Sequence, residues 1–353
     1  MATRSVVQRG TSPPGSLEPA TFSAARIGNT PLVGVRLRVR GHWRRLWLKL
    51  EHRNPGGSIK DRTAYGLLVA LLMNGQLRLG RTVVESTSGN LGIALAYLAR
   101  EWGFVFVAVL DPKVPPGVAG LLERLGARLD RIDDPRGSGF YLRRRLARVQ
   151  ELLCEDPDTL WTNQYGSPAN PRIHFEQTGP EILRQFGVAQ PGAVFAAVST
   201  GGTLAGIGRY MKVAAPRVRV VGVDMLGSAA LGGAPGNWLL NGIGAGRRSE
   251  FLRPTYYDDT SLVGDREAIA VCHVLGEYAG LLLGGSSGAV IAACTRYLAE
   301  HPDVGDVVCV CPDGADRYYE TIYDSEWLAA RSVDVTRAAD RLYFDELEVL
   351  GEK

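Results

Sequence analysis

The feature that most restricts the fold is an alternation beginning at residue 82, in which short apolar runs of strand length are each followed by helical spacing. "TVVES" precedes a helical pattern from about Asn90, "FVFVAVLD" one near 117–126, and "ARLDRI" one near 139–154. The series resumes with "AVFAAVST", "RVRVVGVD", "GLLLGG" and "DVVCVCPDG", interleaved with helical patterns near 203–214, 265–279 and 288–300. Strands that alternate with helices form parallel sheets, because a parallel neighbour is reached only through a long crossover. An α/β fold of two doubly wound parallel-sheet domains follows, with a site between them.

A chain of 353 residues is long enough for two domains sharing a cleft. "NQYGSPANPR" (163–172) is rich in turn formers and reads as a connection or site loop, so the domain change is expected close to residue 161. The expected division is a smaller N-terminal domain over 54–161 and a larger one built from 21–53 and 162–330. Residues 1–20 and 331–353 read as peripheral tails.

Several function classes are disfavoured by composition. The balance of 40 basic and 37 acidic residues gives +3, too small and dispersed for a nucleic-acid surface. "RRRLAR" (143–148) is the densest basic stretch and falls on a helical pattern, where a solvated face is the ordinary reading. The five cysteines lack metal or disulfide spacing, and Cys309 and Cys311 sit in a run that reads as a buried strand. No metal is expected. With no long apolar segment and no apolar leader core, a cytoplasmic location away from membranes is the expectation.

In open α/β sheets ligands gather beyond the carboxyl ends of the strands. Three such loops are rich in Gly, Ser and Thr: "ESTSGN" (Glu85–Asn90), "STGGT" (Ser199–Thr203) and "GGSSG" (Gly284–Gly288). Each opens a helix and offers backbone N–H groups to an anion, although such turns are also common plain caps. "NPGGSIKDR" (Asn54–Arg62) adds one lysine, Lys60, at the mouth of a helical pattern, where positive potential disfavours an ammonium group. A primary amine beside a phosphate cradle points to a Schiff base with a phosphorylated aldehyde, namely pyridoxal 5'-phosphate.

"NPGGSIKDR", "ESTSGNLGIALA", "STGGTLAGIGRYMK", "GIGAG" (Gly242–Gly246) and "GGSSGA" stand in the order found in the cysteine synthase and cystathionine β-synthase family. The chain resembles these fold type II pyridoxal-phosphate enzymes over about residues 25–330. The resemblance implies that Lys60 forms the Schiff base and that Asn90 lies beside the cofactor's 3'-oxygen. It further implies Ser86, Thr87, Ser88 and Gly89 at the substrate carboxylate, with Gly242 also at the substrate. Ser199, Thr200, Gly201, Gly202 and Thr203 would hold the phosphate, and Ser286 the pyridine nitrogen. A serine there cannot hold that nitrogen protonated as a carboxylate would, which suits β-elimination followed by attack of a second nucleophile on an α-aminoacrylate. A homodimer is implied by the family as well.

"YLRRRLARVQELL" (141–153), "WTNQY" (161–165), serine at 199 and "PDGADRYYETIYDSEWL" (312–328) resemble the branch of this family that supplies L-2,3-diaminopropionate for siderophores and peptide antibiotics. That likeness implies O-phospho-L-serine and L-glutamate as substrates, with Arg145, Tyr165 and Ser199 at the substrate site. A phosphate leaving group and a dicarboxylate nucleophile both call for cationic donors, and arginine offers a planar fork. The double glycine of "STGGT" departs from this branch and is typical of general cysteine synthases. Arg247 and Arg248 are further candidates for an anion, or simply exposed arginines. The rival readings are a sulfhydrylase making cysteine from O-phosphoserine or O-acetylserine, a serine or threonine dehydratase, and a non-catalytic scaffold of the same fold.

Overall fold

The computed structural model describes residues 26–352 apart from Ser88, 134–140 and Pro235. Two sheets organise the chain. The smaller has four parallel strands in the order β5 (Arg128–Arg131), β4 (Val105–Leu110), β3 (Thr82–Ser86), β6 (Leu160–Trp161). Its helices are α1 (Lys60–Met73), α2 (Asn90–Trp102), α3 (Pro116–Arg124) and α4 (Tyr141–Glu155). Val83, Phe106 and Leu110 pack with Leu95, Leu98 and Trp102 of α2 in one apolar cluster.

The larger sheet has seven strands. β1 (Leu32–Val39), β2 (His42–Leu50), β7 (Ala193–Ala197), β8 (Arg219–Met225), β9 (Asp259–Val263), β10 (Val307–Cys311) and β11 (Phe344–Glu352) lie in the order β11-β1-β2-β10-β7-β8-β9. α5 (Ala169–Ile173), a π-helical turn at His174–Thr178 and α6 (Gly179–Phe186) enter it; α7 (Gly202–Ala214), α8 (Asp265–Ala279) and α9 (Gly285–Glu300) follow. α10 (Ser325–Ala330) and α11 (Val335–Ala339) lead to β11. Every residue of "VVCVC" in β10 is buried, as expected for a strand covered on both faces.

Three sequence expectations change. The large sheet is not wholly parallel, since β11, β1 and β2 pair antiparallel at one edge while β2 to β9 run parallel. "GLLLGG" forms no strand; among the described residues Leu283 makes an isolated bridge to Gly314, beyond the end of β10. The residues after 331 are no loose tail: β11 pairs along β1 and buries Phe344. Alternating polar residues in "FDELEVLGE" suit an edge strand and mask it in the sequence. The first tail, 1–20, lies outside the described residues.

Candidate active site

The loop carrying Lys60 is built by its own polar groups. Asn54 Oδ1 accepts from Gly28 N at 2.8 Å while Asn54 Nδ2 donates to Glu51 O, which anchors the start of the turn. Gly57 then takes φ +81°, a left-handed conformation that glycine adopts freely. Asp61 Oδ2 accepts from Gly56 N at 2.5 Å and closes the turn. Lys60 is thereby set as the first residue of α1. Its amine is held below the usual lysine range, with burial as the main cause and Asp313 opposing it.

A cavity of about 610 Å³ opens between the two sheets' loops. Lys60, Ser86, Thr87, Gly89 and Asn90 line it from one side, with Arg145 and Tyr165 close by. Ser199, Gly242 and Ser286 complete the set expected from the sequence. Thr200, Gly201 and Thr203 line an adjoining recess of about 20 Å³ that also touches Lys60, Ser199 and Gly242. Gly202 lines neither space, and a Cβ there would meet Asn170 Oδ1 at 2.1 Å, so the position is closely packed. Arg248 is exposed and outside the lining, whereas Arg247 lines the cavity and stacks over the Tyr165 ring at 5.0 Å. Ser88 lies outside the described residues.

Arg145 is 7% exposed, which corrects the solvated-face reading of "RRRLAR" at this position. Its Nη1 stands 3.2 Å from Asp111 Oδ2, yet Nε and Nη1 have no hydrogen-bond partner in satisfactory geometry. Such unmet donors at a cavity wall are costly unless an anion takes them. Ser86 Oγ is a second buried atom without a partner at this wall. Thr87 Oγ1 accepts from Gly92 N at 2.9 Å in the first turn of α2, which orients the hydroxyl while leaving its proton for the cavity.

The "STGGT" loop is held from below by residues that the motif does not contain. Ser249 Oγ donates to Thr200 O at 2.7 Å, and Asn170 Nδ2 donates to Thr200 Oγ1 at 3.1 Å. His174 Nε2 lies 3.3 Å from Thr203 Oγ1 and 3.2 Å from Thr63 Oγ1, joining the phosphate-type loop to α1. Burial, then the charges of Arg62 and Lys60, hold this imidazole well below its usual range and therefore neutral. No local sequence signal marks these supports.

Behind Ser286 the chain adds a carboxylate that the motif reading missed. Asp313 Oδ2 accepts from Asn90 Nδ2 and from the Tyr318 hydroxyl, each at 2.6 Å, and Ser286 Oγ donates to Asp313 Oδ1 at 3.4 Å. Arg317 donates to Asn90 Oδ1 and to Gly56 O, clamping the Lys60 turn against α2. "PDGADRYY" carries this cluster, visible in the sequence only as a motif without assigned roles.

A half-buried amine held below the usual lysine range, a glycine-tight helix mouth with free space before it, and partnerless buried donors fit a phosphorylated aldehyde bearing an amino-acid substrate. Fold and site together define a cleft enzyme of the fold type II class. The family model "Pyridoxal-phosphate dependent enzyme" matches residues 24–313, and the chain belongs to that family. It is 40% identical over 327 residues to N-(2-amino-2-carboxyethyl)-L-glutamate synthase of Ralstonia nicotianae, covering 91% of this chain and 96% of that one. Among solved structures it superposes on O-ureido-L-serine synthase with TM-score 0.78 and 31% identity, over 86% of this chain and 98% of the other. It also superposes on the O-acetylserine dependent cystathionine beta-synthase from Helicobacter pylori with TM-score 0.76 and 30% identity, over 86% and 99%.

Among the described residues no group of metal-ligating side chains is assembled, and no helix is long and apolar enough to cross a membrane.

Proposed function

We propose that the protein catalyses β-replacement on O-phospho-L-serine with the amino group of L-glutamate, giving N-(2-amino-2-carboxyethyl)-L-glutamate and phosphate. The observation that carries this reading is Arg145, a buried guanidinium at the cavity wall whose Nε has no partner, beside Tyr165. Two anionic substrates need such a group; a sulfide nucleophile with an acetate leaving group does not. The 40% identical relative of nearly equal length, named for that product, supports it.

Pyridoxal phosphate, when bound, supplies an aldehyde for the substrate amine and an electron sink for charge at Cα. Lys60 holds it, and Ser199 to Thr203 receive its phosphate at the mouth of α7. Asn90 and Ser286 flank its ring. Ser86 Oγ, Thr87 and Gly89 take the substrate carboxylate, with Ser88 in the same turn and Gly242 across the cavity. Lys60 Nζ, favoured in its neutral form, accepts the Cα proton. Arg145 and Tyr165 balance charge on the departing phosphate, and Arg247 faces the incoming dicarboxylate.

The same reading includes supply of L-2,3-diaminopropionate to siderophore or antibiotic synthesis, a cytoplasmic homodimer, and residues 54–161 as the smaller body of the cleft. The test is a mass-spectrometric product assay of pyridoxal-loaded protein given O-phospho-L-serine with equal glutamate and sulfide. A dominant glutamate adduct is expected. Cysteine alone would make the protein a sulfhydrylase.

A further inference from the structure

The segment after β10 lines the cavity with Pro312, Asp313, Arg317 and Tyr318. It runs along the turn that carries Lys60, where Ile59 N donates to Pro312 O at 2.8 Å and Ser58 bridges to Asp313. Further along, Arg317 reaches back to the same turn through Nη2, which donates to Gly56 O. Its Nη1 donates to Asn90 Oδ1 at the start of α2, next to the loop that carries Ser86, Thr87 and Gly89. One guanidinium therefore joins the lysine turn to that loop.

Both ends of this bridge are fixed. The Gly56 peptide is held from its other side as well, because Gly56 N donates to Asp61 Oδ2 at 2.5 Å and Asp61 follows Lys60 in α1. Gly57 takes φ +81°, and a Cβ there would lie 3.3 Å from Arg317 Nη2, so the turn is shaped to admit the guanidinium. The Asn90 amide is held by Arg317 at Oδ1 and by its 2.6 Å bond to Asp313 Oδ2 at Nδ2. A guanidinium can face only the carbonyl end of an amide and a carboxylate only the NH2 end, so the amide cannot turn over without losing both bonds. A planar fork serves two acceptors in a fixed geometry, which a lysine head on a flexible stem does not.

Resting on the site reading above, Lys60 takes the Cα proton while the loop ending at Asn90 takes the substrate carboxylate. The carboxylate is bonded to the carbon that loses the proton, so the separation of turn and loop sets the distance from Lys60 Nζ to Cα. We propose that Arg317 is a positioning residue that holds this separation and keeps Lys60 Nζ within reach of the Cα–H bond. In that step the Cα–H bond breaks, Nζ gains the proton, and the electron pair forms the Cα–Cβ double bond as phosphate leaves Cβ. A misplacement of about 1 Å in such a transfer costs on the order of 100-fold.

The test separates positioning from binding. Pyridoxal-loaded wild type, Arg317→Met and Arg317→Lys are mixed with O-phospho-L-serine, unlabelled or deuterated at Cα, and the first release of phosphate is timed without any nucleophile. Affinity for pyridoxal phosphate is measured alongside by absorbance titration. Both variants are expected to release phosphate about 10–100-fold more slowly, with a larger deuterium effect than the wild type and little change in cofactor affinity. Lysine keeps the charge without the fork, so a wild-type rate in Arg317→Lys overturns the two-acceptor bridge. Slowing that comes only from lost cofactor overturns the proposal too, since a purely structural Arg317 would leave the isotope effect in place. A wild type that releases no phosphate sinks the site reading and this inference with it, whereas an unchanged rate and isotope effect in loaded Arg317→Met sinks this inference alone.

Discussion

Arg62 and Glu181 meet in a two-pronged ion pair, Nη1 to Oε1 and Nη2 to Oε2 at 2.7 Å each, across 119 positions of chain. Arg62 also grips Glu51, and Lys49 Nζ donates to Glu181 at 3.0 Å, all in the protein interior. The network ties the turn bearing Lys60 to α6. Replacing Glu181 by Ala leaves two buried cations short of a partner and should cost about 3–5 kcal/mol, read from urea unfolding. Burial pushes the Glu181 carboxyl up, but the hydrogen bonds and charge of Arg62 outweigh it and hold it at about 2. The unfolded value is near 4.5, so this contribution is complete above 4.5 and is lost as pH falls from there to about 2.

Asp61 behaves in the opposite sense. Burial lifts its carboxyl from 3.8 to about 7, against the Gly56 N–H that favours the ion, and Oδ1 has no partner. The folded state therefore binds the proton more tightly than the unfolded chain. Its contribution is complete below 3.8 and declines as pH rises to about 7. Asp61→Asn, which cannot ionise, should flatten that decline in unfolding midpoints taken across the window. An unchanged slope would show that Asp61 titrates normally.

Lys60→Ala should remove the yellow absorbance of the pyridoxal-loaded protein and lower turnover by roughly 10²–10⁴-fold or more. Normal turnover in this variant would refute the site assignment. Absorbance titration and product assay give the two readouts separately.

Arg145→Ala should reduce kcat/KM for O-phospho-L-serine by about 10–100-fold, corresponding to about 1.4–2.7 kcal/mol of lost anion contact. It should also lower stability, because Asp111 is buried and loses its only ion-pair partner among the described residues. A stability loss with unchanged kcat/KM would assign Arg145 to packing alone.

Gly201 has φ +89°, and a Cβ there would fall 2.0 Å from Ser249 Oγ, which holds the Thr200 carbonyl. Gly201→Ala is expected to displace the loop and weaken cofactor binding, measured by absorbance titration, with a smaller effect on the unfolding midpoint. Equal affinity would mean that the loop relaxes without consequence for the phosphate.

Much of the architecture was legible locally. β3, β4 and β10 are apolar runs because they are covered on both faces, and glycines mark the mouths of α2, α7 and α9 at the cavity and its adjoining recess. β9 escaped notice because its "DTSLV" is an edge strand, mostly exposed and without a continuous apolar signal. β11 escaped for the same reason, its partner β1 lying more than 300 residues away in sequence.

The candidate site divides in the same manner. Lys60, the three Gly-Ser-Thr loops and the cofactor class were determined by the sequence, because an amine, a tight turn and a helix mouth are local arrangements written in a few adjacent residues. The burial of Arg145, the His174 bridge from Thr203 to Thr63, and the Asp313 carboxylate behind Ser286 were decided only by tertiary structure. Each depends on side chains from separate elements meeting in a low-dielectric interior, where distance sets the energy and sequence separation does not.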